Sequence, residues 1–220
     1  MTRCMAPSNK ILPLLEQLRA ELIQVAEPSR APGMQAYMKS ALPYHGVSAA
    51  VMRKVCQQVF AGLHFESAAH FRAAVLALWH AAQFREERHA AIELTELRLA
   101  RPFEDLTALP MYEEMIVSGA WWDYVDPLAT HRLSALVKRA PQPMAAAMRE
   151  WSRSDNLWKR RSAILCQLPL KADTDLALLQ ECIAPALTSR EFFLRKAIGW
   201  ALRQYARTSP QWVLDYVQAH

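Results

Sequence analysis

The chain has 220 residues, 52 % of them hydrophobic and 21 % charged, and a formal net charge of +5. That balance excludes a disordered polyelectrolyte, and the length is enough to bury a core without metal or disulfide support. No run of about 18 apolar residues occurs, which excludes a membrane-spanning helix.

In chain order, residues 9–26 carry Ile11, Leu14, Leu15, Leu18, Leu22 and Val25 at helical spacing, with Pro13 expected in the first turn. Pro28, Pro32 and Gly33 break the pattern, and a short helix is expected over 34–40. Residues 43–46 read as a turn, and Ser48 as the N-cap of a helix to about residue 61. Further helices are predicted over 67–82, 86–99, 109–118 and 122–139. After the break at Pro141 and Pro143 come 143–153, 156–168, 173–187, 189–207 and 210–218. With five glycines and no Asn-Gly or Asp-Gly hairpin signal, the chain reads as all-α, with about a dozen helices. Short links between successive helices predict stacked pairs, and so a single α-solenoid domain over residues 1–220 built from degenerate HEAT-like repeats. An irregular helical bundle is the alternative.

Cys4, Cys56, Cys166 and Cys182 are scattered without a CxxC pair, and the seven histidines show no metal-binding spacing. Neither a metal site nor a cofactor is expected. No leader sequence is read at the N-terminus, so the cytoplasm is the expected compartment. His80 and His89, near Arg85 and Arg88, read as a solvated helical surface. The pI of about 9.2 is compatible with a polyanionic partner.

Three places break the expected division into apolar stripe and polar face. In NLWKRRSAILCQL, Leu157, Ile164, Leu165 and Leu168 form a stripe with Arg161 at its centre. That guanidinium needs a partner: either an internal carboxylate, or a phosphate gripped at the mouth of a groove. In SREFFLRKAIGWALRQYAR, Trp200 lies off the stripe of Leu194, Ile198, Ala201, Leu202 and Tyr205, beside Lys196, Phe193, Arg203 and Gln204. It either packs on a neighbouring helix or faces a ligand, and Gly199 leaves open space beside it. In GAWWDYVDP, Trp122 and Asp126 fall on one helical face, with Trp121 and Asp123 turned away. Asp126 before Pro127 can equally be a simple N-cap in a helix whose first turn holds the proline.

Taken together and in order, QAYMKSALPYHGVSAAVMRKV, EEMIVSGAWWDYVD, SDNLWKRRSAIL and REFFLRKAIGWALRQYARTSPQWVLDYV resemble the AlkD-type DNA alkylation repair glycosylases, over roughly residues 34–217. The resemblance implies a right-handed solenoid whose concave basic face holds duplex DNA. It implies a monofunctional enzyme that hydrolyses the N-glycosidic bond of N3- and N7-alkylated purines in base excision repair. By matching motif positions it implies Asp126 as the catalytic carboxylate and Trp122 and Trp200 as the aromatic residues at the lesion. It places Arg161, Arg203 and, less directly, Tyr37 on DNA, and Lys196 joins them as the cation next to Trp200. A monomer acting on alkylated DNA, bound at the nucleoid and needing no cofactor, is the expectation. Pro127 departs from the family pattern. Two other readings remain open: a catalytically silent relative that binds branched or damaged DNA, and a protein-interaction scaffold.

Overall fold

The computed structural model describes residues 8–220, with side chains from residue 13. Cys4 and the Ile11 side chain lie outside the described residues. Among those residues there are thirteen α-helices and no strand. The chain divides into two compact units, one ending at Phe103 and the other beginning at Glu104.

The first unit contains α1 (Ser8–Gln24), α2 (Ala31–Met38), α3 (Ala49–Phe60), α4 (Ala68–Ala81) and α5 (Arg85–Glu96). Helix α4 packs along α5, and α1 lies against α3 and α4. Leu18, Leu22, Cys56, Phe60, Leu78, Trp79 and Leu94 are fully buried between them. Pro13 sits in the interior of α1 rather than in its first turn. Ser48 occupies the N-cap position of α3 without a side-chain hydrogen bond, whereas Ser67 caps α4 by accepting from the His70 N–H.

Of the stretch read as a solvated surface, His80 is exposed and His89 half-buried, but the start of α5 is enclosed. Arg85, Glu86 and Glu87 are buried, and Arg88 stacks 4.8 Å over Trp79. Burial is tolerated because the carboxylates are saturated with donors. Glu86 accepts the backbone N–H groups of His45, Gly46 and Val47. Glu87 accepts a two-pronged bond from Arg19, at 2.7 and 3.0 Å, and the N–H of Gln83 at 2.7 Å. Gly46, at φ +87°, lets this loop press against the α1–α2 link, where a Cβ would meet the Glu27 carbonyl oxygen at 2.2 Å.

The second unit contains α6 (Leu109–Gly119), α7 (Trp122–Pro127), α8 (Ser134–Arg139), α9 (Pro141–Ser152), α10 (Leu157–Leu165), α11 (Leu176–Ile183), α12 (Phe192–Tyr205) and α13 (Pro210–Ala219). Helix α10 is its hub, touching α6, α7, α9, α11 and α12. A helix with neighbours on every side is buried all round, and residues 161–167 form one unbroken buried run. The predicted helix over 122–139 is continuous but changes pitch: α7 passes into a π-helical stretch, Leu128–Leu133, before α8. Pro127 is the sixth residue of α7, not part of its first turn. It offers no N–H to the α-helical ladder, and the register shift follows directly after it. The Thr130 hydroxyl donates to the Asp126 carbonyl at 2.7 Å, satisfying one acceptor there.

The donors around Glu87 set a pH dependence. Burial pushes its carboxyl upward, but His45, Arg19 and the Gln83 N–H outweigh it and hold the group at about 2, below the ordinary 4.5. A lowered folded-state value stabilises the fold fully above the unfolded value, and that contribution is lost as pH falls through about 2. The urea midpoint of the wild type is therefore expected to drop between pH 5 and pH 2. Glu87→Gln should start about 3 kcal/mol less stable at pH 7 and lose less over the same interval.

Candidate active site

Arg161 projects from the hub helix α10 and is 5 % exposed. Its Nε donates to Asp126 Oδ1 at 2.7 Å and its Nη2 to Oδ2 at 2.8 Å, a parallel fork on one carboxylate. Its Nη1 donates to the Phe193 carbonyl oxygen at 2.6 Å. One side chain thus joins α7, α10 and the start of α12. Three of the five guanidinium N–H donors are committed, and the guanidinium also lies by the Phe193 ring, with Cζ 5.9 Å from the ring centroid.

Asp126 does not cap α7: that position belongs to Trp121, in an extended conformation. The Asp126 side chain is 14 % exposed, so it keeps a narrow opening to solvent. Burial pushes its carboxyl above the ordinary 3.8, against the opposing pull of Arg161, while Asp123 adds to the rise. The fork uses about two of the four lone-pair positions of the carboxylate and leaves the others for a water or a cationic group.

Trp122 is half-buried and lies one turn before Asp126, on the same face of α7. Trp121, off the helix, joins an aromatic cluster: its ring centroid is 5.4 Å from Phe193 and 6.1 Å from Trp158, and Trp158 is 5.0 Å from Phe193. The cluster fixes the first turn of α12, and with it the carbonyl that receives Arg161. Trp200 is half-buried and lies seven residues past Phe193, two turns along the same side of α12.

The adjacent line of α12 reads Phe192, Lys196, Gly199 and Arg203, at helical spacings of four, three and four. All four are exposed. Several cations elsewhere in the second unit are paired: Arg132 and Arg139 with Glu104, Arg149 with Glu181, and Lys159 with Glu113. Among the described residues, no acidic partner meets Arg195, Lys196, Arg203 or Arg207. Helix α12 therefore presents a face of unpaired cations interleaved with aromatic rings, the combination that phosphates and sugars or bases require together.

Of the residues singled out in the sequence, Asp126 and Arg161 are in direct contact. Trp122 shares the Asp126 face, and Trp200, Lys196 and Arg203 share α12 with the Phe193 carbonyl. Tyr37 lies in the first unit, on α2, and is 76 % exposed. Arg161 adopts the internal-bridge alternative. The carbonyl of Phe193 and the Thr130 hydroxyl escaped sequence reasoning. A main-chain acceptor leaves no trace in a sequence, but a threonine four residues after Asp126 is a usable signal for a side chain that bonds back to the carbonyl one turn earlier.

Among the described residues the protein is all-helical, and one unit holds both an arginine-clamped aspartate and a helix face of cations and aromatic rings. The chain belongs to the family of DNA alkylation repair enzymes, whose model matches residues 18–220. It is similar to the solved structure of a "predicted DNA alkylation repair enzyme" from Enterococcus faecalis. The two share 29 % identity and a TM-score of 0.72, over 89 % of this chain and 90 % of that one. It shares its fold with smu.31 from Streptococcus mutans UA159, at 17 % identity and TM-score 0.56, over 76 % and 81 % of the two chains. No curated protein matches.

Removing one partner from a buried pair leaves the other uncompensated. Arg161→Ala is expected to cost about 3–5 kcal/mol at pH 7, with the deficit shrinking in acid as Asp126 takes up a proton. The double variant Arg161→Met/Asp126→Leu should recover much of the loss. Denaturant titrations across pH check both, and an Arg161→Ala protein as stable as wild type would show that the pair carries no such constraint.

Proposed function

We propose that this protein is a monofunctional DNA glycosylase that hydrolyses the N-glycosidic bond of cationic N3- and N7-alkylated purines in duplex DNA. The observation that carries the reading is an oriented, largely buried carboxylate, Asp126, on the same helical face as an indole. An alkylated N3 or N7 purine already bears a positive charge. The C1′–N bond can therefore break with its electron pair passing to the base, which leaves neutral without a general acid. What remains is an oxocarbenium-like sugar that needs a fixed negative charge nearby. Asp126 supplies that charge and orients the water that adds to C1′, whose proton passes to the carboxylate or to solvent. Arg161 acts as a positioning residue: it holds both carboxylate oxygens, so that no reorganisation is required when the cation forms. Trp122 and Trp200 offer electron-rich faces to the sugar and the cationic base. Lys196, Arg203 and Tyr37 contact the DNA backbone.

A second reading, a silent binder of branched or damaged DNA, draws on the same pair. A carboxylate neutralised by an arginine fork is also a sound purely structural element.

The test is base release from duplex DNA carrying N7-methylguanine, corrected for spontaneous loss. Wild type is expected to release the base, and Asp126→Asn to do so about 100-fold more slowly or worse. Because burial raises the Asp126 carboxyl, the acid limb of the rate should lie above the ordinary aspartate range and disappear in the Asn variant. Binding without release of either N3- or N7-alkylated bases would establish the silent reading.

A further inference from the structure

Gly199 is a residue that nothing in the fold requires. It lies inside α12, where glycine is less favourable than alanine. Glycine in a helix is explained by a positive φ or by a neighbour that a Cβ would strike. Neither applies: the positive-φ glycine among the described residues is Gly46, and a Cβ at Gly199 would find no atom within 4 Å. The position is exposed, midway along the line from Lys196 to Arg203, three residues from one cation and four from the other, and next to Trp200. Open space bounded by two unpaired cations and an indole is a place for an anionic chain to come closer to a helix than a side chain would permit.

We propose that Gly199 is a contact site for the sugar–phosphate strand of duplex DNA. The missing Cβ lets the strand lie against the α12 backbone, while Lys196 and Arg203 hold phosphates on either side. The inference rests on the DNA reading above and adds to it a residue selected for what it lacks. Gly33 repeats the pattern in the first unit: it is exposed and helical, and has no atom within 4 Å of a Cβ. It lies one turn before the exposed Tyr37.

The experiment measures thermal stability and duplex affinity for wild type, Gly199→Ala, Gly199→Leu and the control Gly62→Ala. Gly62 lies outside the helices, in the turn after α3, and is equally open. Helix propensity predicts that Gly199→Ala melts roughly 2–4 °C higher than wild type. The proposal predicts weaker binding despite that gain: a Kd raised severalfold by Ala and tenfold or more by Leu, with Gly62→Ala at the wild-type value. Wild-type affinity in both Gly199 variants would overturn the assignment of Gly199 and leave the DNA reading standing. A wild-type protein without salt-sensitive duplex affinity would overturn both. Gly199→Ala with a lowered melting temperature would show that the glycine serves the fold, and would overturn the proposal.

Discussion

The second unit is organised around one buried interaction, the fork of Arg161 on Asp126. Helix α10 is enclosed by five other helices, and a guanidinium in such a place is admissible only when its donors are met. Asp126 meets two and the Phe193 carbonyl a third. Hydrophobic residues at both positions would fill the space as well or better, so stability alone does not account for the pair. It does give register: α7 and α12 are tied to α10 at named atoms, and a carboxylate is held in one orientation near solvent.

The surroundings serve that orientation. Pro127 breaks the α-helical ladder immediately after Asp126, the π-helical stretch absorbs the mismatch, and Thr130 bonds the Asp126 carbonyl. The Trp121–Trp158–Phe193 cluster anchors the start of α12. Along α12, the side that carries Phe193 and Trp200 adjoins a line of cations without acidic partners. The carboxylate and the cationic surface are thus linked through one helix, so binding an anionic strand and presenting the charge are not independent tasks for this fold.

Much of this was legible in the sequence, for physical reasons that differ from place to place. Helical periodicity and proline breaks located the α-helices to within a few residues, because amphipathic spacing is a local property, while the 3-10 turns between residues 98 and 108 carry no such periodicity and were not read. The impropriety of Arg161 on its stripe was visible too, as was the choice between a phosphate and an internal carboxylate. Deciding between them required three dimensions, since the two partners are 35 positions apart. The solvated surface read around His80 and His89 does not extend to the Arg-Glu-Glu run that opens α5. The burial of that run depends on loop N–H groups at residues 45–47 and on Arg19, none of which a helical wheel contains. The role of Pro127 was also misplaced, because a helix can pass a proline by changing pitch rather than by starting there.

The central claim is that the Asp126 carboxylate, fixed by Arg161, faces the positive charge that develops on a sugar. Its most direct test is an affinity comparison on two duplexes that differ at one position. One carries a cationic pyrrolidine in place of the deoxyribose, the other a neutral tetrahydrofuran. The account predicts that wild type binds the cationic duplex at least tenfold more tightly, a difference of about 1.4 kcal/mol, and that Asp126→Asn loses the preference while retaining affinity for the neutral duplex. Equal affinity of wild type for the two duplexes would contradict it.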